Sequence, residues 1–251
     1  MKYPGRIITK GEKDKAIVKA VQQQINKQGC GPVDVDGSFG PKTLAAVKLF
    51  QSRFPDQNGN PLTIDGKLGP LSWAALFGTG TVPITPQAQS QLLKKVLETA
   101  VSQIGALEKP KGSNWGHPVQ DYLARTGINF PAAWCAAFVY WCFDEACIQL
   151  GRNNPAVKTA GVLNHWSRTT GKKISTSEAT ANPSLVKPGH IFILSTGGGL
   201  GHTGLVESVN GGFLVTIEGN TNEGGSREGI GVFRRDRRKI KDINRGFIHY
   251  S

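Results

Sequence analysis

Residues 131–147, PAAWCAAFVYWCFDEAC, constrain the fold more than any other stretch of the chain. Ala136, Ala137, Phe138, Val139, Tyr140, Trp141 and Phe143 leave no polar stripe for two turns, so a helix here must be wrapped by protein on most sides. Pro131 suits a first turn, because a proline there gives up only an amide that has no helical partner, and Cys135 follows within about one turn of it. A thiol at a helix start faces unpaired amides and the positive end of the helix dipole, which favours the nucleophilic thiolate. The same residue also reads as a small hydrophobe in a core helix, the reading that fits Cys142 and Cys147. Chemistry at Cys135 therefore needs partners from elsewhere in the chain.

A chain of 251 residues exceeds the usual single-domain length, and its two halves differ in pattern. In DKAIVKAVQQQIN, Ala16, Ile17, Ala20, Val21 and Ile25 recur at helical spacing, and Gly29 closes the helix. An internal repeat follows: DGSFGPKTLAAV starts at Asp36 and DGKLGPLSWAAL at Asp65, an offset of 29 residues. Each copy reads as an Asp-Gly turn leading into a helix with proline at its first position. Such a unit buries its apolar face against its twin and against the first helix, which predicts a small all-α three-helix bundle over residues 1–79. Residues 78–90, GTGTVPITPQAQS, lack periodicity and read as a joint, placed at residues 80–91.

Beyond the joint, Leu92, Leu93, Val96, Leu97, Ala100, Val101 and Ile104 mark a helix ended by Gly105, and HPVQDYLARTGI marks a shorter one. After Gly151 the pattern turns to strands: HIFILS, a glycine-rich loop, HTGLVESV, Asn210-Gly-Gly, then FLVTIEGN. Helices first and antiparallel strands afterwards predict an α+β domain over residues 92–251. If Asn210, Gly211 and Gly212 form a three-residue loop, Val209 faces Phe213 and His202 stands opposite Asn220, with Glu218 on the same strand face within diagonal reach of the imidazole. A two-residue loop would shift this parity. A thiol at a helix start, a histidine on a strand and a carboxylate or amide beside it make up the cysteine-hydrolase arrangement, in which the histidine takes the thiol proton and Glu218 or Asn220 orients the ring.

Charge narrows the partners. With 30 basic and 18 acidic side chains the chain carries +12, which suits a polyanionic partner such as bacterial wall, an anionic membrane surface or nucleic acid. The basic run Arg234, Arg235, Arg237, Arg238, Lys239 and Lys241 reads as a solvated face, and no aromatics interleave with it as nucleic-acid binding would need. The cysteine spacing suits neither a disulfide framework nor zinc, and His117, His165, His190 and His249 lack a helix-start cysteine partner, although His190 opens the strand before the cleft. No segment has the apolar length of a signal peptide or a membrane span, so synthesis in a cytoplasm is expected, with delivery to the wall through a pore or a secretion system.

The first eighty residues resemble the peptidoglycan-binding domain of the PG_binding_1 type, carried by VDVDGSFGPKTLAAVKLFQ and IDGKLGPLSWAALFG within residues 10–78. The resemblance implies a three-helix wall-binding module, with Ser38, Phe39 and Arg53 as exposed contacts. Residues 92–251 look like a CHAP domain, the papain-like amidohydrolase domain of peptidoglycan hydrolases, carried by AWCAAFVYW, GHTGLVESV and FLVTIEGNT after KGSNWGHPVQDYL. This resemblance puts the nucleophile on Cys135, the base on His202 and the orienting pair on Glu218 and Asn220, with Asn114 and Trp134 as substrate contacts. It departs from the pattern at Ala133, where proline is common, and around Lys109 to Trp115, which lacks the aspartates of a calcium loop. No cofactor and no metal are expected. The resemblances imply an endolysin-like monomer that binds peptidoglycan and cuts one of its amide bonds, as amidase or endopeptidase. A non-catalytic wall-binding protein and a cysteine amidase for another peptide conjugate stay open as alternatives.

Overall fold

The computed structural model describes residues 1–85, 87–222 and 229–251. The chain divides into two compact units, residues 1–84 with 180–183 and residues 85–179 with 184–251.

In the first unit, α1 (Lys15–Lys27), α2 (Pro41–Arg53) and α3 (Pro70–Phe77) enclose a core that includes Val18, Val21, Ile25, Val47, Phe50, Leu68 and Trp73. Asp14 caps α1 by accepting the Ala16 and Ile17 amides, whereas α2 and α3 each begin at a proline after an extended glycine. The 29-residue repeat extends to a buried glutamine absent from the turn motif itself. Gln22 donates to Asp36 (2.8 Å), the Ser38 carbonyl (3.1 Å) and Thr43 (3.2 Å) and accepts from the Gly37 amide (2.9 Å). Gln51 repeats this with Asp65 (3.2 Å), the Lys67 carbonyl (2.9 Å), Ser72 (3.2 Å) and the Gly66 amide (2.8 Å). One amide side chain thus satisfies the polar groups of each turn and ties it to the preceding helix.

The predicted joint is held at both ends: Val82 is buried in the first unit's core and Ala88 in the second's, while Pro86 lies outside the described residues. In the second unit, α4 (Gln91–Ser102), capped by Ser90, precedes α5 (Val119–Arg125), α6 (Cys135–Gln149) and α7 (Val162–Arg168). The sheet is antiparallel. Its strands are β1 (Lys172–Ile174), β2 (Ile191–Gly197), β3 (Leu200–Asn210), β4 (Phe213–Thr221), β5 (Gly231–Lys239) and β6 (Gly246–His249), in the spatial order β1-β6-β2-β3-β4-β5. Alternation along the strands splits the core. Ile191, Ile193, Leu205 and Ile217 pack with α4, α5 and α6, whereas Phe192, Val206, Leu214 and Phe247 form a separate cluster with Ile174 and Ile240. The α6 side chains Ala136, Ala137, Phe138, Val139, Cys142 and Phe143 are wholly buried, each large one worth about 1.5–3 kcal/mol of transfer free energy.

Three expectations change here. Cys135 is itself the first residue of α6, and Pro131 precedes the helix. The run 234–239, read as a solvated face, lies on strand β5 and keeps Arg234 and Arg237 exposed, but Arg238 turns inward to Glu218. The β3–β4 loop has two residues, Gly211 and Gly212, with Asn210 paired to Phe213; a bulge between Val206 and Ser208 then shifts the register so that Val206 faces Thr216 and Leu205 faces Ile217. The bulge restores the parity that the shorter loop would have lost. Among the described residues, no helix is long and apolar enough to cross a membrane.

Candidate active site

Cys135 opens α6, which is capped by Trp134 without any side-chain hydrogen bond, so no side chain competes for the first-turn amides. His202 sits on β3, paired with Leu194 of β2, and Glu218 on β4. The three are 5 %, 4 % and 0 % exposed. His202 Nε2 and Glu218 Oε2 are 2.8 Å apart, and the ring's other nitrogen, Nδ1, is buried without a hydrogen-bond partner. Burial works against a charged imidazole, but the influence of the nearby Cys135 and Glu218 outweighs that and raises its pKa to about 9.

Glu218 has its own support. Arg238 donates to both carboxylate oxygens, Nε to Oε1 and Nη2 to Oε2, the latter at 2.6 Å, and Thr216 Oγ1 donates to Oε1 at 2.5 Å. Burial pushes this carboxyl up, yet Arg238 and then His202 hold it down at about 2. The guanidinium lies over the Phe192 ring, 4.9 Å from its centre, and that ring packs against His202 at 5.9 Å. Room for the carboxylate comes from Gly204: a Cβ there would stand 2.8 Å from Glu218 Cγ and 2.7 Å from the Ile217 carbonyl oxygen.

Asn220 is turned away from the imidazole. In the left-handed region at φ 53°, its side chain accepts from the Trp134 amide at 2.9 Å, donates to the Gly229 carbonyl at 3.1 Å and lies 3.2 Å from the side chain of Asn114. Asn114, itself at φ 54°, lines with Asn220, Ala133, Glu108, Gly112, Gly229 and Ile230 a cleft of about 320 Å³ next to the start of α6.

Two expected contacts are overturned by burial. Trp134 is fully enclosed, packed on Tyr122 and Phe138 and donating through Nε1 to Glu108 at 2.8 Å, so it braces the helix start and faces no substrate. Phe39 is 3 % exposed and belongs to the first unit's core, because the turn that carries it folds inward onto α1. Ser38 and Arg53 are exposed, Arg53 donating to the Gly29 carbonyl at 3.2 Å. Of the other histidines, His165 bonds Tyr250, His117 pairs with Asp121 at the surface, and His190 and His249 share a cavity with Lys172 and Lys187 apart from the cleft beside α6.

Sequence reasoning missed Arg238, Thr216 and Glu108. Thr216 stood two residues before Glu218 and so on its strand face. Arg238 was legible only by reading the basic run as a strand.

Residues 126–220 match the CHAP domain family and residues 14–76 the PG_binding_1 family, a peptidoglycan binding domain. No curated protein and no solved structure matched the chain.

Proposed function

We propose that this chain, which joins a peptidoglycan-binding domain to a CHAP domain and so has the make-up of a modular cell-wall hydrolase, cuts a wall amide bond through Cys135. The observation that carries this reading is the buried set Cys135, His202 and Glu218, with Glu218 Oε2 2.8 Å from His202 Nε2 and held in turn by Arg238. The imidazole takes the thiol proton, and the thiolate attacks the carbonyl carbon of an amide in or beside the stem peptide. First-turn amides of α6 steady the oxyanion. His202 returns the proton to the departing amine, and water, deprotonated by the same ring, releases the acyl group from the sulfur. Glu218 holds the tautomer and the charge of the ring, while Asn220 fixes the strand end to the Trp134 amide. The first unit keeps the enzyme on an insoluble substrate and so raises its local concentration.

Purified protein should clear a suspension of sacculi. Cys135→Ala should lower that rate by a factor on the order of 10³ or more while the protein still pellets with sacculi. Clearing that survives the substitution would refute the cysteine mechanism. Mass spectrometry of the released fragments separates amidase from endopeptidase cleavage.

A further inference from the structure

The cleft beside the start of α6 contains a carboxylate whose work is only half accounted for. Glu108 is 4 % exposed; its Oε1 accepts from Trp134 Nε1 at 2.8 Å, and its Oε2 has no hydrogen-bond partner. A buried carboxylate oxygen left without a donor is costly, so the arrangement calls for a donor supplied from the cleft that Glu108 lines. The other polar side chains in that lining, Asn114 and Asn220, are neutral and are already engaged with each other and with the Trp134 and Gly229 backbone. Glu108 is thus the cleft's sole charged side chain among the described residues, and it is negative in a chain whose net charge is +12.

We propose that Glu108 is a specificity-determining residue that receives a primary ammonium group of the peptide substrate through its unpartnered oxygen. The inference rests on the hydrolase reading above and adds a substrate class to it: peptides with a free amine near the scissile amide. Two groups of a wall peptide have this chemistry, the N-terminal ammonium and the side-chain ammonium of a diamino acid. The tie to Trp134 gives the contact a second use, since an ammonium bound here is held by the carboxylate that also grips Trp134, the residue at the cap of the nucleophile's helix.

The test uses the full chain carrying Cys135→Ala, so that binding is read without turnover. Synthetic lysine-containing stem peptides are titrated in four forms: unmodified, acetylated at the N-terminus, acetylated at the lysine side chain, and acetylated at both. A charge-assisted bond to a buried carboxylate predicts that one single acetylation weakens binding about tenfold or more, and which one does so identifies the ammonium. Glu108→Gln keeps an oxygen for Trp134 Nε1 and should bind all four forms alike, with an unchanged near-ultraviolet circular dichroism spectrum. Equal affinity of the four peptides for protein with Glu108 intact overturns the proposal, as does the absence of binding by any of them. Failure of the unsubstituted protein to cut sacculi would instead count against the hydrolase reading.

Discussion

A carboxylate taken out of water keeps its charge only where donors replace its lost hydration. Glu218 has three such donors in Arg238, Thr216 and His202, and the arginine makes the difference because it meets both oxygens at once. Arg238 is therefore a positioning residue that acts on His202 through the carboxylate. Replacing it should raise the Glu218 pKa, since the largest influence holding it down would be gone. Arg238→Met should lower kcat by about 10- to 100-fold and move the acid limb of the pH profile upward; Arg238→Lys should move it less, because the ammonium keeps the positive charge although it cannot make the two-pronged bond. A reduced rate with an unmoved acid limb would leave Arg238 a merely structural role.

At the scale of elements, the geometry of the proposed site depends on how closely α6 lies on β4. Gly219 sits between Glu218 and Asn220, and a Cβ there would meet Trp134 Cζ3 at 2.7 Å and Phe138 Cβ at 2.8 Å. The indole and the helix backbone cannot both yield, so Gly219→Ala should push the start of α6 off the strand. We expect a stability loss of about 1–3 kcal/mol in chemical denaturation and a fall in activity larger than the unfolded fraction explains. Unchanged activity with unchanged stability would mean that the helix can retreat freely. The β3–β4 hairpin shows a related economy. Its two-residue loop and the bulge near Glu207 each shift pairing by one residue, and together they bring Glu218 to the face of β4 that meets His202.

At the scale of the whole molecule, buried titratable groups set opposing pH limits. His202, raised from 6.5 to about 9, contributes stability that is complete below pH 6.5 and is lost as pH rises through about 9. His165 and His190, depressed mainly by burial to about 4 and about 3, contribute stability present above pH 6.5 and lost as pH falls through those values, and Glu218 adds a loss between 4.5 and about 2. Thermal midpoints measured from pH 3 to 10 should therefore peak near neutrality, about pH 6–7, and fall on both sides; a monotonic rise to pH 10 would contradict the His202 assignment. Much of this molecule is written in local pattern. The apolar stretch around Cys142 had to be an enclosed helix, the Asp-Gly repeat had to make two equivalent turns, and alternating runs beside Asn210 had to pair as a hairpin, because periodicity and turn chemistry act over a few residues. The order Cys135, His202, Glu218 could be read in the same way. Burial of Phe39 and Trp134, the bulge that restored the register, and the conversion of Arg238 from a surface charge to the anchor of Glu218 could not. Each depends on what a distant segment brings alongside, and a residue's own type says only what its burial would cost.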